Sequence, residues 1–202
     1  MLLNEEQKMV QDMLRSYSQE KLKPTAAERD KTAQFPAQEL KELGELGALG
    51  MTVSPEWGGA GLDYISLVVA LEEIAAGDGA ISTIVSVQNS LPCGITQRYG
   101  TDAQKQKYLS KLATGEWLGC FCLTEPQAGS DAGALECKAV REGDEWVLNG
   151  EKKWIGNGAS GGITIIYARM EDGNVGGFIV PQEAPGYSAS VIEGKLSLRA
   201  IH

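Results

Sequence analysis

Apolar residues recur every three or four positions through the first half of the chain and every second position after about residue 116. The first spacing suits one buried helix face and the second one buried strand face, because side chains repeat at about 3.6 and 2.0 residues in those backbones. Met9, Val10, Met13, Leu14 and Tyr17 predict a first helix, opened by Asn4 and Gln7 as a capping box and ended by Pro24. A second helix is expected from Pro36 to Leu49, with Leu40, Leu43 and Leu46 inward and Pro36 in its first turn. Asp63 suits the cap of a third, Tyr64 to Ala76, burying Leu67, Val68, Leu71 and Ile74. Ile81 to Arg98 reads as a buried helix broken around Pro92, and Asp102 to Leu112 as an amphipathic helix ending near Gly115. Glycines and a proline make Ser54 to Gly61 a loop.

Beyond that point Leu118 to Thr124, Cys137 to Arg141, Glu145 to Leu148, Ile163 to Ala168, Gly177 to Val180 and Tyr187 to Ile192 read as strands. Glu142-Gly143-Asp144 joins two of them as a hairpin, and Asn149-Gly150 and Asp172-Gly173 supply further turns. The expected fold class is α+β by segregation: an all-helical domain over residues 1–116, then a β-barrel or sandwich domain over 117–202.

Composition narrows the function classes. A net charge of −9 argues against nucleic-acid and anionic-membrane surfaces, so any phosphorylated ligand must be held by local backbone donors. Cys93, Cys120, Cys122 and Cys137 show no C-x-x-C spacing and read as reduced core thiols of a cytoplasmic protein; Cys120 and Cys122 share one strand face. No leader and no membrane-length apolar run is evident. His202 is the only histidine, so no Ser-His-Asp triad, Cys-His pair or His-rich metal site can be assembled from these residues.

The chemistry-bearing stretch is Phe121-Cys122-Leu123-Thr124-Glu125-Pro126-Gln127-Ala128-Gly129-Ser130-Asp131. It leaves a strand, turns at proline, and offers two hydroxyls and successive amides that could cradle a diphosphate without lysine. A strand end with proline and glycine is also simply a loop. Lys152-Lys153-Trp154-Ile155-Gly156-Asn157-Gly158 places a tryptophan beside glycine at a second strand end, where an indole could wall a planar ring or merely complete the core.

Taken together, Cys122 through Asp131 and Asn149 through Asn157 resemble the two long motifs of the acyl-CoA dehydrogenase family, and the resemblance extends over essentially all 202 residues. It implies FAD as cofactor, with Phe121, Leu123 and Thr124 along the isoalloxazine and Gly129 and Ser130 at the ribityl and diphosphate. Ser130 would also touch the CoA moiety, and Trp154, Ile155 and Gly156 would lie near the reactive ring nitrogen. Gly156 departs from the Thr or Ser usual there, so only its amide could donate, which leaves an oxygen-using oxidase as an alternative to a dehydrogenase. Glu125 is expected to hold the turn through neighbouring amides, not to act as a base.

Ser86 to Leu91 and Gly194 to Ala200 look most like the glutaryl-CoA dehydrogenase branch, yet Ser82 stands where dicarboxylyl-specific members carry an arginine, so a neutral acyl group is expected. The resemblance further implies an incomplete β-barrel, with the family's carboxy-terminal helical domain and the catalytic base it carries absent from these residues. Partners implied are an acyl-CoA substrate, electron-transferring flavoprotein or oxygen as acceptor, and a homotetramer for the full-length protein. A non-catalytic flavin- or CoA-ester-binding remnant is the third reading.

Overall fold

The computed structural model describes residues 2–202. The capping box forms as the sequence suggests: Asn4 Oδ1 accepts from Gln7 N at 2.8 Å and Gln7 Oε1 accepts from Asn4 N at 3.0 Å, opening α1 (Glu5–Tyr17). Only Val10 and Leu14 of the expected apolar face are buried; Met9 and Met13 are exposed. Each lies one residue, about 100°, around the helix from the contact seam, so Val10 and Leu14 enter the core with the half-buried Tyr17 packed against it. Pro24 does not end the helix. A π-turn over Ser18–Leu22 widens the ladder, Lys23 N donates to Ser18 O, and the proline falls in the first turn of α2 (Lys23–Thr32). Its missing donor matters little there.

The next helix, α3 (Ala37–Glu45), is shorter than expected; Leu40 and Leu43 are buried, whereas Leu46 caps it and is exposed, and Ala48 and Leu49 fill the core from the following turn. Asp63 Oδ1 caps α4 (Tyr64–Gly77) by accepting from Ser66 N at 2.7 Å. Val68, expected inside, is 54% exposed and Leu71 only half-buried; Val69 and Ala70 are buried instead. The reason is that α4 is covered on several sides, so its buried positions do not form one simple stripe. It runs parallel to α1, with Gln7 on Asp63 and Arg15 on Glu73. The two helices close up at Gly77, where a Cβ would lie 2.9 Å from Ser18 O.

Pro92 is likewise absorbed: α5 (Gly79–Gln88) continues through a π-turn, Asn89–Cys93, into α6 (Gly94–Tyr99). The last helical stretch comprises α7 (Asp102–Gln104), a π-turn and α8 (Ser110–Thr114), stopped by Gly115 at φ 76°. Leu14, Leu22, Leu43, Leu49, Ile74 and Ile81 are fully buried in the main helical core, each contributing roughly 1.5–3 kcal/mol of apolar burial. Gln88 then fastens helix to sheet: its Nε2 donates to Leu112 O and Trp117 O while its Oε1 accepts from Gly119 N at 2.8 Å.

Among the described residues five strands form one mixed sheet: β1 (Gly119–Cys122), β2 (Lys138–Glu142), β3 (Glu145–Asn149), β4 (Ile163–Met170) and β5 (Val175–Pro181). β4 is central. β1 pairs parallel along its first half, β2 parallel at its end, and β5 antiparallel on the other edge; β3 pairs with β2 as a hairpin. Two expectations from the sequence fail here. Tyr187 to Ile192 forms no ladder: Tyr187 turns its hydroxyl to Gly158 O, and residues 188–192 are exposed. Asn149-Gly150 is not a hairpin turn: Gly150 passes so close to Cys137 that a Cβ would lie 2.7 Å from its Sγ.

The final residues return to the helical domain. Arg199 donates to both carboxylate oxygens of Asp30, Ile201 packs against the helical core, and the His202 ring lies 2.9 Å from Ala33 O and 5.4 Å from the Phe35 ring centroid. Among the described residues no helix is long and apolar enough to cross a membrane.

Candidate functional site

The site starts where β1 leaves the sheet. After Cys122 the ladder stops, and Pro126 favours the tight turn in which Glu125 N donates to Ala128 O at 3.0 Å and Ala128 N donates back at 3.2 Å. Glu125 turns inward and is 3% exposed. Its Oε1 accepts from Lys152 Nζ at 2.7 Å and Cys137 N at 2.9 Å; its Oε2 accepts from Gln127 Nε2 at 2.8 Å and Glu136 N at 2.6 Å. Burial pushes its pKa up, but the Glu136 amide, the Lys152 ammonium, the Cys137 amide and the Gln127 amide outweigh that and hold it at about 2. A carboxylate with four donors on its two oxygens has no free lone pair directed at a substrate and is a poor proton acceptor at neutral pH.

A second segment runs beside β1 in the opposite direction. Lys153 N donates to Thr124 O at 2.9 Å, and four residues on Asn157 Nδ2 donates to Gly119 O at 3.3 Å. Trp154, Ile155 and Gly156 therefore flank Phe121, Leu123 and Thr124, although some thirty residues separate them in the chain. Trp154 has a left-handed backbone, φ 62°, and its side chain stands 68% exposed. Ile155 and Gly156 are half-buried, and a Cβ at Gly156 would fall 3.1 Å from Ile201 Cγ2. Phe121 leans on Tyr167 at 5.2 Å. Leu123 and Thr124 are half-buried, and the Thr124 hydroxyl makes no hydrogen bond among the described residues.

Further along the turn, Gly129 and Ser130 are exposed, and a Cβ at Gly129 would meet nothing within 4 Å. Among the described residues the amides of Gly129, Ser130 and Asp131 donate to no protein acceptor. An exposed indole on the segment bonded to Thr124, whose hydroxyl is free, with a row of open amides following, fits a planar ring that carries a phosphate tail. FAD has that chemistry. Ser82 is not part of the group: nearly buried between α4 and α5, it donates its hydroxyl to Leu71 O at 3.0 Å, and no hydrogen bond links it to the residues above. Among the described residues no group of three or more His, Cys, Asp or Glu side chains could hold a metal.

The family models for acyl-CoA dehydrogenase match the chain twice, the N-terminal domain over residues 4–116 and the middle domain over residues 120–202. The chain belongs to the acyl-CoA dehydrogenase family. It is 41% identical to the mitochondrial short-chain specific acyl-CoA dehydrogenase of Rattus norvegicus, covering 98% of this chain and 49% of that protein. Its structure superposes on a glutaryl-CoA dehydrogenase from Mycobacterium smegmatis in complex with FADH2 with a TM-score of 0.94 at 38% identity, covering 98% of this chain and 51% of the other. A structure described as the electron transferring flavoprotein of Acidaminococcus fermentans aligns with a TM-score of 0.96 at 35% identity, covering 100% and 54%. The chain thus spans about half the length of the relatives it matches.

Within this family fold, two groups carry weight that the sequence pattern does not assign. Lys152 lies inside the second motif, where it reads only as charge; its side chain is 9% exposed and it also donates to Leu123 O at 3.0 Å. Tyr187, expected on a strand, donates to Gly158 O at 2.7 Å, while Gln182 Nε2 reaches Asn157 O at 3.1 Å. Both brace the Gly156–Gly158 turn. A hydrophobic pattern cannot show this, because their partners lie more than twenty residues away.

Proposed function

We propose that this chain forms the flavin-binding half of an FAD-dependent acyl-CoA dehydrogenase that converts an acyl-CoA thioester to the trans-2-enoyl-CoA. The observation that carries the reading is the antiparallel approach of Lys153–Asn157 to β1, which sets Trp154 beside Thr124 next to the open amides of Gly129 to Asp131. The reading assigns Phe121, Leu123, Thr124, Gly129, Ser130, Trp154, Ile155 and Gly156 to FAD, Ser130 also to CoA, and treats residues 1–116 and 117–202 as the two domains. When bound, FAD supplies the acceptor for the two electrons leaving the Cβ–H bond. Thr124 Oγ1 would hydrogen-bond the ring's polar edge, the Trp154 indole would cover the ring and exclude water, and the amides from Gly129 onward would neutralise phosphate charge.

The α-proton of a thioester must leave as the hydride departs, and Glu125, with its oxygens occupied and its pKa near 2, cannot take it. The reading assigns the base instead to the carboxy-terminal helical domain that the family resemblance implies. Ser82 places no charge against a distal substrate carboxylate, and the rat relative carries a short-chain name, so a neutral acyl group fits better than glutaryl. The working acceptor is electron-transferring flavoprotein, the assembly a homotetramer, and the site of action the cytoplasm. Gly156 supports a second reading, an acyl-CoA oxidase: with Ile201 Cγ2 in the space beside its Cα, no side-chain hydroxyl is offered to the ring. Titration of the purified chain with FAD, followed by acyl-CoA and absorbance near the flavin maximum, tests the proposal. Saturable FAD binding without substrate bleaching is expected. Bleaching that Glu125→Gln abolishes while FAD stays bound would show that the base had been misplaced, and fast reoxidation of reduced flavin by air would favour the oxidase.

A further inference from the structure

We infer that Lys152 and Glu125 form a clamp that positions Thr124 and Trp154 for the flavin, which makes both of them positioning residues for cofactor binding. The inference rests on the flavin reading above. Four chain segments converge on the clamp: the end of β1 at Leu123, the turn at Gln127, the entry to β2 at Glu136 and Cys137, and the stretch after β3 at Lys152. The Lys152 ammonium bonds the Leu123 carbonyl one residue beyond the last β1 ladder pair, replacing the donor that the sheet no longer provides.

Stability alone does not account for this arrangement. A buried ion pair is costly to desolvate, and a well-packed apolar pair of the same volume often serves stability equally well. The clamp's effect shows two residues further on. Trp154 is held left-handed, a conformation that disfavours a bulky side chain, while its indole is mostly exposed and gains little from packing. Such a backbone persists only where its neighbours over-determine it, and here they do: Lys152 is pinned to Glu125 and Leu123, and Lys153 N to Thr124 O. The product is an aromatic residue fixed next to the residue that bonds Thr124 O. A rigid supporting shell of this kind is what precise ligand geometry requires.

The test uses the whole 202-residue chain with three variants: Lys152→Met, the pair Lys152→Met with Glu125→Gln, and Lys152→Arg. FAD affinity is read from flavin fluorescence, and the folded state of the apo protein from its thermal midpoint. The paired variant leaves no unpaired buried charge, so although it gives up the stabilisation of the ionised carboxylate its apo midpoint should fall by no more than about 6–12 °C and the chain should still fold. Its FAD affinity should fall by at least about tenfold, and Lys152→Arg, which keeps donors on both acceptors, should recover most of it. A folded paired variant that binds FAD as tightly as the unaltered chain overturns the clamp while leaving the flavin reading intact. Collapse of the paired variant's apo fold makes the pair a structural element and also overturns the positioning role. Failure of the unaltered chain to bind FAD overturns the flavin reading and the clamp together.

Discussion

Replacing Glu125 by glutamine removes one charge from a site built of donors and should make stability depend on pH in a defined way. In the folded chain the carboxyl pKa is held at about 2, against an ordinary value of 4.5. A group whose pKa is lowered by folding stabilises the fold above its unfolded pKa and loses that contribution as pH falls through the folded value. Each tenfold change in proton affinity is worth about 1.4 kcal/mol, so ionised Glu125 contributes about 3 kcal/mol at pH 7 relative to its protonated form. By the same linkage about 2.5 kcal/mol remains at pH 4, about 1.4 kcal/mol at pH 3, and almost nothing below pH 2. Glutamine cannot accept from four donors at once, because one of its atoms is itself a donor. Urea unfolding of both proteins should therefore show a gap of about 3 kcal/mol at pH 7 that narrows by about half on going to pH 3. Comparing the two chains at each pH cancels the other acidic groups, among them Asp30, whose carboxyl is lowered by its bonds from Arg199. A gap of the same size at pH 7 and pH 3 would refute the claim that the four donors hold this carboxylate ionised.

Other perturbations have equally direct readouts. Arg29 is 4% exposed and bonded to Glu39 and Thr25 with Asp78 at 3.6 Å, so Arg29→Met should cost about 3–5 kcal/mol in chemical unfolding by stranding the buried Asp78 carboxylate and the half-buried Glu39. Gly150→Ala forces a Cβ to within 2.7 Å of Cys137, and should lower the thermal midpoint through about 1–3 kcal/mol of overpacking. Burial pushes the Cys93 thiol up to about 12, so it should resist thiol reagents at pH 8 until the chain is unfolded. For the full-length enzyme, butyryl-CoA should be turned over about a hundredfold better than glutaryl-CoA, since each unpaired carboxylate contact costs a few kcal/mol; comparable rates would contradict the assignment of Ser82.

Much of this protein could be read from the order of its residues, because much of it is local. The Asn4 and Asp63 caps, the stop at Gly115 and the hairpin at Gly143 depend on neighbours within a few positions, and the switch in apolar spacing separates helix from strand. The two motifs were legible for the same reason: each is one continuous stretch. Which apolar residues reach the core was not legible, since Met9, Leu46 and Val68 have the same chemistry as their buried neighbours and differ only in what packs over them. Nor did Pro24 and Pro92 stop their helices, because a π-turn, visible only in the backbone, accommodates each. Tyr187 to Ile192 has the pattern of a strand, but a pattern supplies no partner for its backbone. The site itself is tertiary: Lys152 reaches Glu125 across 27 positions and Asn157 reaches Gly119 across 38. Those bonds decide that Trp154 stands beside Thr124, and hydrogen-bond partners that far apart are chosen by the folded sheet.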